Sequence, residues 1–287
     1  MKKINIGFLG YGTRALDALM EDERFEVKAF FAPLSRLCED VYDAKKKYPG
    51  PEFGIVKDND DVRKAFERYK GKVECFLMNA CPIILNQQVL DVMPVYNIHP
   101  GNLTDNRGHQ PHLWTVLLAE KESEIVLHEV NPGIDEGKII AKKVMSIDDS
   151  MDSLQVLNLL EDEIPYLLDG LYDHIVNGIP PVEAVFGGEY RRVMVYQDYE
   201  FSPENMDSPG FLEDVLRKIR ARAMHHGAYF IYRDERIYVD RLLDDERLTE
   251  TGGLNGEVEI EFHGTVVMLR KNDRLLVFRL NKREQIR

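Results

Sequence analysis

Short apolar runs alternate with helix-period stretches through the first 130 residues, and that alternation limits the fold more than any other feature of the chain. Residues 3–9 read as a buried strand. Gly10-Tyr11-Gly12-Thr13 then turns into a helical pattern with Leu16, Leu19 and Met20 on one face. Further strands are predicted at 25–31, 73–78, 95–99 and 125–130, and helices at 62–69 and 113–119. Strand and helix in turn predict an α/β fold built on a mainly parallel, doubly wound sheet. Sites in such sheets lie at the carboxyl ends of the strands.

Beyond residue 150 the pattern changes. Residues 154–175 are helical, with Pro165 as a kink or break. Ser202-Pro203 and Ser208-Pro209 place a linker near 196–208. After a helix at 211–222 come five short strand-like segments, at 228–232, 236–239, 256–260, 265–269 and 275–278, which suggest a small OB-like β-barrel. The division expected is residues 1–200 and 206–287. At 287 residues the chain is long for one domain.

The formal charge is −13, and residues 206–287 hold 15 basic and 15 acidic side chains, so the whole excess lies in the first 205 residues. Nothing here is a basic nucleic-acid platform of the usual kind. Cys38, Cys75 and Cys81 match no zinc or redox spacing and read as buried or half-buried thiols of a reducing cytosol. No apolar stretch reaches membrane-spanning length, so a soluble, cytoplasmic chain is expected.

The run Tyr96-Asn97-Ile98-His99-Pro100-Gly101-Asn102-Leu103 and the later Gly133-Ile134-Asp135-Glu136-Gly137 carry the chemistry. Asn97 and His99 are two apart and face one side of an extended strand. An amide, an imidazole and a carboxylate brought together can deliver a nucleophile to a carbonyl and hold the charge that develops on its oxygen. Gly10-Tyr11-Gly12 follows a strand and opens a helix but lacks the third glycine of a dinucleotide fingerprint; it can line a substrate site or simply turn the chain. Arg107, His109, Gln110 and Trp114 follow the first motif and are open to either substrate contact or plain packing. His225-His226 has no further ligand set around it and reads as structural.

Asn97-Ile98-His99-Pro100, the Arg107-Gly108 step with Pro111, and Asp135-x-Gly137-x-Ile139-Ile140, in this order, resemble the folate-dependent formyltransferases. That family includes glycinamide ribonucleotide, methionyl-tRNA and sugar-nucleotide members. The likeness runs from about residue 4 to 180, and the tail is similar to the small barrel of the methionyl-tRNA and sugar members. It implies a Rossmann-like catalytic domain, N10-formyltetrahydrofolate as co-substrate and no metal. Asn97, His99 and Asp135 would be the catalytic set. The folate pocket would fall on residues 78–85 and 131–135, through Met78, Asn79, Cys81, Ile83, Leu85, Asn131, Gly133 and Ile134. Gly10, Tyr11, Gly12, Arg107, Gln110 and Trp114 would face the amine substrate. Two departures bear on folate contacts: Gly101-Asn102-Leu103-Thr104 stands where many members have Ser-Leu-Leu-Pro, and Cys81-Pro82 where many have Tyr-Gly.

The resemblance implies formyl transfer to an amine. The Gly101-Asn102-Leu103 variant and the net-neutral tail favour a UDP- or TDP-linked amino-deoxy sugar on the way to a surface glycan. Methionyl-tRNA formylation and formyltetrahydrofolate hydrolysis are the alternatives, and a homodimer is expected from the strand edges of the tail. Whether His99 takes a proton from the amine or, protonated, hydrogen-bonds the oxyanion is left open by the sequence.

Overall fold

A computed structural model describes residues 2–185, 187–248 and 256–286. The chain divides into two compact units: residues 1–111, 122–146 and 158–191 form the first, and residues 112–121, 147–157 and 192–287 the second. Part of the expected C-terminal domain, residues 249–255 and 287, lies outside the described residues.

The strands are β1 (Ile4–Gly10), β2 (Phe25–Pro33), β3 (Glu52–Val56), β4 (Cys75–Asn79), β5 (Val95–His99), β6 (Asn106–Gly108), β7 (Glu122–Glu129), β8 (Ile139–Ser146) and β9 (Glu189–Arg191), followed by β10 (Ala228–Tyr232), β11 (Glu235–Arg247), β12 (Glu259–His263), β13 (Val266–Lys271) and β14 (Arg274–Gln285). The helices are α1 (Thr13–Glu21), α2 (Glu39–Lys47), α3 (Asn59–Tyr69), α4 (Gln87–Leu90), α5 (Pro111–Leu117), α6 (Ser153–Glu161), α7 (Ile164–Tyr172) and α8 (Phe211–Ala221).

Seven strands of the first unit form one sheet in the order β3-β2-β1-β4-β5-β7-β8. β1 to β5 pair in parallel, whereas β7 runs antiparallel to β5 and β8 antiparallel to β7. The sheet is thus mixed α/β with a parallel majority. The central parallel strands β4 and β5 are buried along their whole length, as a sheet covered on both faces requires, whereas β2 exposes Glu26 and the edge strand β3 is partly exposed. Phe31, Phe66, Tyr69 and Phe76 fill one side, with Phe66 stacked on Phe76 at 4.1 Å between ring centroids.

The break at Pro165 is real: α6 ends at Glu161 and Pro165 sits in the first turn of α7, where its missing N–H costs no helical bond. Among the described residues no helix is long and apolar enough to cross a membrane. Cys38 is exposed, contrary to the expected burial of all three thiols, because it precedes the polar helix α2 at the surface; Cys75 is buried and Cys81 half-buried.

In the second unit, five antiparallel strands form a sheet in the order β10-β11-β14-β13-β12. α8 packs against it through Phe211, Val215 and Ile219, spaced four apart on one helical face. Phe201, Phe230 and Phe278 complete that core.

Candidate active site

Register decides what meets at the carboxyl end of β5. β4 sets Met78 beside Asn97 and Asn79 beside Ile98. On the other side β7 opposes Asn97 to His128 and His99 to Val126. Opposed residues of an antiparallel pair have Cβ atoms about 4.5–5.5 Å apart, so the Asn97 side chain meets His128: Nδ2 lies 3.1 Å from Nε2. His128 Nδ1 lies 2.7 Å from the Glu129 carbonyl oxygen. A carbonyl only accepts, so Nδ1 carries a proton, and a bare Nε2 can accept one amide N–H from Asn97. The second N–H of Asn97 is left available for a ligand.

Asp135 joins from the 131–137 loop. Its Oδ2 is 3.5 Å from His99 Nδ1, and its Oδ1 is 3.5 Å from His128 Nε2. Gly108 N–H donates to Oδ2 at 3.0 Å. Asp135 has φ of 52°, a left-handed conformation that aspartate tolerates better than most residues. The loop is braced by Asn131, whose Nδ2 donates to the Glu136 carbonyl at 3.0 Å and whose Oδ1 accepts from Gly133 N–H at 3.1 Å. Gly137 lets the loop reach β7: a Cβ there would stand 1.6 Å from the Glu129 carbonyl oxygen and 3.2 Å from His128 Nδ1. The carbonyl that fixes the proton of His128 therefore also forbids a side chain at 137.

The two ionisable partners divide by environment. His99 is buried, and burial lowers its pKa below the usual histidine value despite the opposing charge of Asp135. Burial raises that of Asp135, but the charge of His99, the hydrogen bond and charge of His128, and the Gly108 N–H outweigh it and hold the carboxyl at about 2. At neutral pH the pair is a carboxylate beside a neutral imidazole. His99 Nε2 also faces the Asn106 carbonyl at 3.4 Å. Each ring nitrogen thus looks at an oxygen acceptor.

The remaining sequence-predicted residues fall in several places. Gly10 and Asn79 are register partners. Cβ atoms at Gly10 and Gly12 would lie 1.8 Å from the Asn79 carbonyl oxygen and 1.7 Å from Asn79 Oδ1, so both glycines are required by close packing. Asn79 is held by its Nδ2, which donates to the Ile98 carbonyl at 3.1 Å. Arg107 binds Glu136 at 3.0 Å, beside Asp135. Gln110 takes a φ of 48° just after Gly108, and the half-buried His109 ring has its pKa lowered by burial and by the charge of Arg36. The guanidinium of Arg36 in turn stands 5.8 Å from the Tyr11 ring. Trp114 belongs to the second unit, where its indole N–H donates to the Arg192 carbonyl at 3.1 Å under the Arg192 guanidinium.

For a folate the residues after β4 are a suitable match. Met78 and Leu85 are buried and Ile83 and Cys81 half-buried; the Ile83 N–H is directed at the Cys81 sulfur, and among the described residues no backbone–backbone hydrogen bond ties down the N–H groups of Ala80, Cys81, Ile84 and Leu85. Those polar groups are what a flat heterocycle with several donors and acceptors needs. Burial pushes the Cys81 thiol up to about 11, so it is no thiolate at neutral pH. Among the described residues no group of three or more His, Cys, Asp or Glu side chains is arranged to hold a metal ion.

His128 and Asn106 were missed by sequence reasoning. His128 sits inside an apolar run, and only the antiparallel register of β5 with β7 reveals it.

A buried amide, two imidazoles and an ionised carboxylate, gathered at the carboxyl end of β5, can exchange a proton with a nucleophile and hold charge on a carbonyl oxygen. Residues 56–164, which contain all four, match the family model described as formyl transferase. It is 25% identical to the methionyl-tRNA formyltransferase of Clostridium botulinum over 287 residues, 95% of this chain and 89% of that one. Its fold is similar to that of a 4-N formyltransferase from Francisella tularensis, with a TM-score of 0.65 and 17% identity over 83% of this chain and 97% of that one. It is also similar to HypX from Aquifex aeolicus, solved in complex with tetrahydrofolic acid, with a TM-score of 0.65 and 17% identity over 99% of this chain. The chain spans just under half, 46%, of that HypX chain.

Proposed function

We propose that the protein transfers a formyl group from N10-formyltetrahydrofolate to the amino group of a UDP- or TDP-linked amino-deoxy sugar. The observation that carries the transfer is the His99–Asp135 pair, with Asn97 held by His128, inside the segment that matches the formyl transferase family. Neutral His99 takes the proton of the amine as its nitrogen bonds to the formyl carbon. Asn97 donates its second amide N–H to the oxygen that becomes negative, an interaction worth about 3–4 kcal/mol when preorganised. Asp135 stabilises the imidazolium that results. His99 then returns the proton to N10 as the bond between N10 and the formyl carbon breaks. The segment 78–85 and the 131–135 loop hold the folate, and Tyr11, Arg107 and Gln110 face the amine substrate.

In this reading residues 1–200 form the catalytic domain and residues 206–287 an OB-like barrel, in a cytoplasmic homodimer. The sugar substrate is supported by the Gly101-Asn102-Leu103 variant and the net-neutral tail. A likeness to structures described as sugar N-formyltransferases supports it too. Methionyl-tRNA formylation is the second reading, favoured by the curated relative that spans 95% of the chain. Thermal shifts with UDP, TDP and GDP against bulk tRNA separate the two by mass action. Stabilisation by UDP or TDP is expected; stabilisation by tRNA and by no nucleotide would replace the sugar with tRNA. Formate release with no amine present would point instead to a hydrolase.

A further inference from the structure

α8 presents Glu213, Leu216, Arg217 and Arg220 at three- and four-residue spacings, which bring them to one face. In the second unit that face lines a cavity of about 250 Å³ together with the end of α5 and residues 147–151. Its apolar lining comes from Val116, Ala119, Ile147, Met151 and Leu216. The cavity is smaller than the ~300–1,000 Å³ of sites for drug-sized ligands.

The lining carries the acids Glu120, Asp148, Asp149 and Glu213 and the bases Lys121, Arg217 and Arg220; Lys121 pairs with Asp149, whereas neither Arg217 nor Arg220 pairs with an acid of the lining. Glu120 accepts a hydrogen bond from Thr115 Oγ1 at 3.0 Å. Asp148 accepts from the Ser150 N–H at 2.8 Å and from its hydroxyl at 2.5 Å. Asp149 pairs with Lys121, and Glu213 stands exposed in the first turn of α8, where the helix dipole favours it. Arg217 reaches Asp214 at 3.4 Å with one terminal nitrogen, but its Nε is buried without a partner. Arg220 makes no side-chain hydrogen bond or ion pair among the described residues, and its Nε is buried as well. Burial pulls its pKa below the usual arginine value, with Asp149 opposing only through its charge. The two half-buried guanidinium groups stand one helical turn apart over an apolar lining; their Nε atoms are closed to a ligand as to water, so the terminal N–H groups, which Arg220 gives to no protein group among the described residues, are the ones that can meet a planar anion.

We infer that the cavity between α8, the end of α5 and residues 147–151 binds a small organic carboxylate, its carboxylate on Arg217 and Arg220 and its short apolar body on Val116, Ile147, Met151 and Leu216. This site is separate from the reading of the His99–Asp135 cluster and stands or falls without it.

The test uses the full chain with sodium butyrate and sodium hexanoate as probes, n-butanol as the neutral control and inorganic phosphate as the anion without an apolar body. A saturable rise in melting temperature with butyrate or hexanoate, absent with n-butanol, is expected. Arg220→Met should weaken calorimetric affinity at least tenfold. Met151→Trp, which fills the cavity and leaves both arginines, should weaken it as much, and it decides the matter should Arg220→Met fail to fold. Undiminished affinity in either folded variant would overturn the inference. So would binding of phosphate without either carboxylate, or no binding at all.

Discussion

The polar groups at the end of β5 and those under α8 teach opposite lessons. In the first unit, Asn97, His99, His128 and Asp135 are buried or nearly so, and each is fixed by a partner: an amide on a ring nitrogen, a ring N–H on a carbonyl, a carboxylate on a backbone N–H. In the second, Arg217 and Arg220 keep buried Nε donors with none. A satisfied buried network sets geometry and protonation before any ligand arrives, which is what a catalytic constellation needs. The half-buried arginines carry a desolvation cost, and a ligand of matching charge can offset it through their terminal N–H groups. The first is built to react and the second to bind.

Variants can break or sharpen that contrast. His99→Ala removes the proton acceptor and should lower single-turnover formyl transfer by about 10²–10⁴-fold, while tetrahydrofolate binding persists; unaltered kinetics would count against the role. Asn97→Ala should cost about 10²–10³-fold in kcat, measured at saturating amine. His128→Ala frees the Asn97 amide to rotate, so kcat should fall by roughly tenfold to a hundredfold with KM little changed. His128→Gln, whose side-chain oxygen can again accept from Asn97, should recover part of the loss; equal loss in both variants would show that the hydrogen bond is not what matters. Gly137→Ala drives a Cβ into the Glu129 carbonyl and should cost about 2–4 kcal/mol by chemical denaturation. Arg220→Met replaces an unmet guanidinium with an apolar chain of similar length, so stability should stay within about 1 kcal/mol of the parent or rise.

The pH dependence of stability follows from the same groups. The pKa of Asp135 is lowered on folding, so its contribution is complete above the ordinary aspartate value and is lost as pH falls through about 2. The pKa of His99 is also lowered, so its contribution is present above the ordinary histidine value and is lost as pH falls through the folded value. Both make the protein less stable in acid.

Much of this was legible in the sequence. β5 has the bounds expected for it, Asn97 and His99 face one side, and Asp135 returns to them as its motif implied. Several elements were not, β8, β3 and α2 among them. In β8 the pair Lys142-Lys143 interrupts the apolar run; Lys142 extends to the buried Glu124 at 3.0 Å and Lys143 to Glu163 at 2.6 Å. β3 is short, partly exposed and contains Gly54, so it shows no alternation. α2 has only Val41 and Ala44 buried, too thin a stripe to stand out among its charged residues. His128 was hidden for a different reason. Alternation of strands and helices predicts parallel neighbours, and its contact with Asn97 exists only because β7 runs the other way. A register set by distant pairing cannot be read from local pattern.

The central claim is that a neutral His99 acts as the base under the charge of Asp135. It is tested most directly by the pH profile of kcat/KM for formyl transfer to a nucleotide-linked amino sugar, in the parent and in Asp135→Asn. In the parent the acidic limb should lie below the ordinary histidine value of about 6.5. In Asp135→Asn the limb should move to still lower pH, because the charge that holds a proton on His99 is gone, and the plateau should fall by at least a hundredfold. A limb that stays where it was, or a plateau close to that of the parent, would contradict the account.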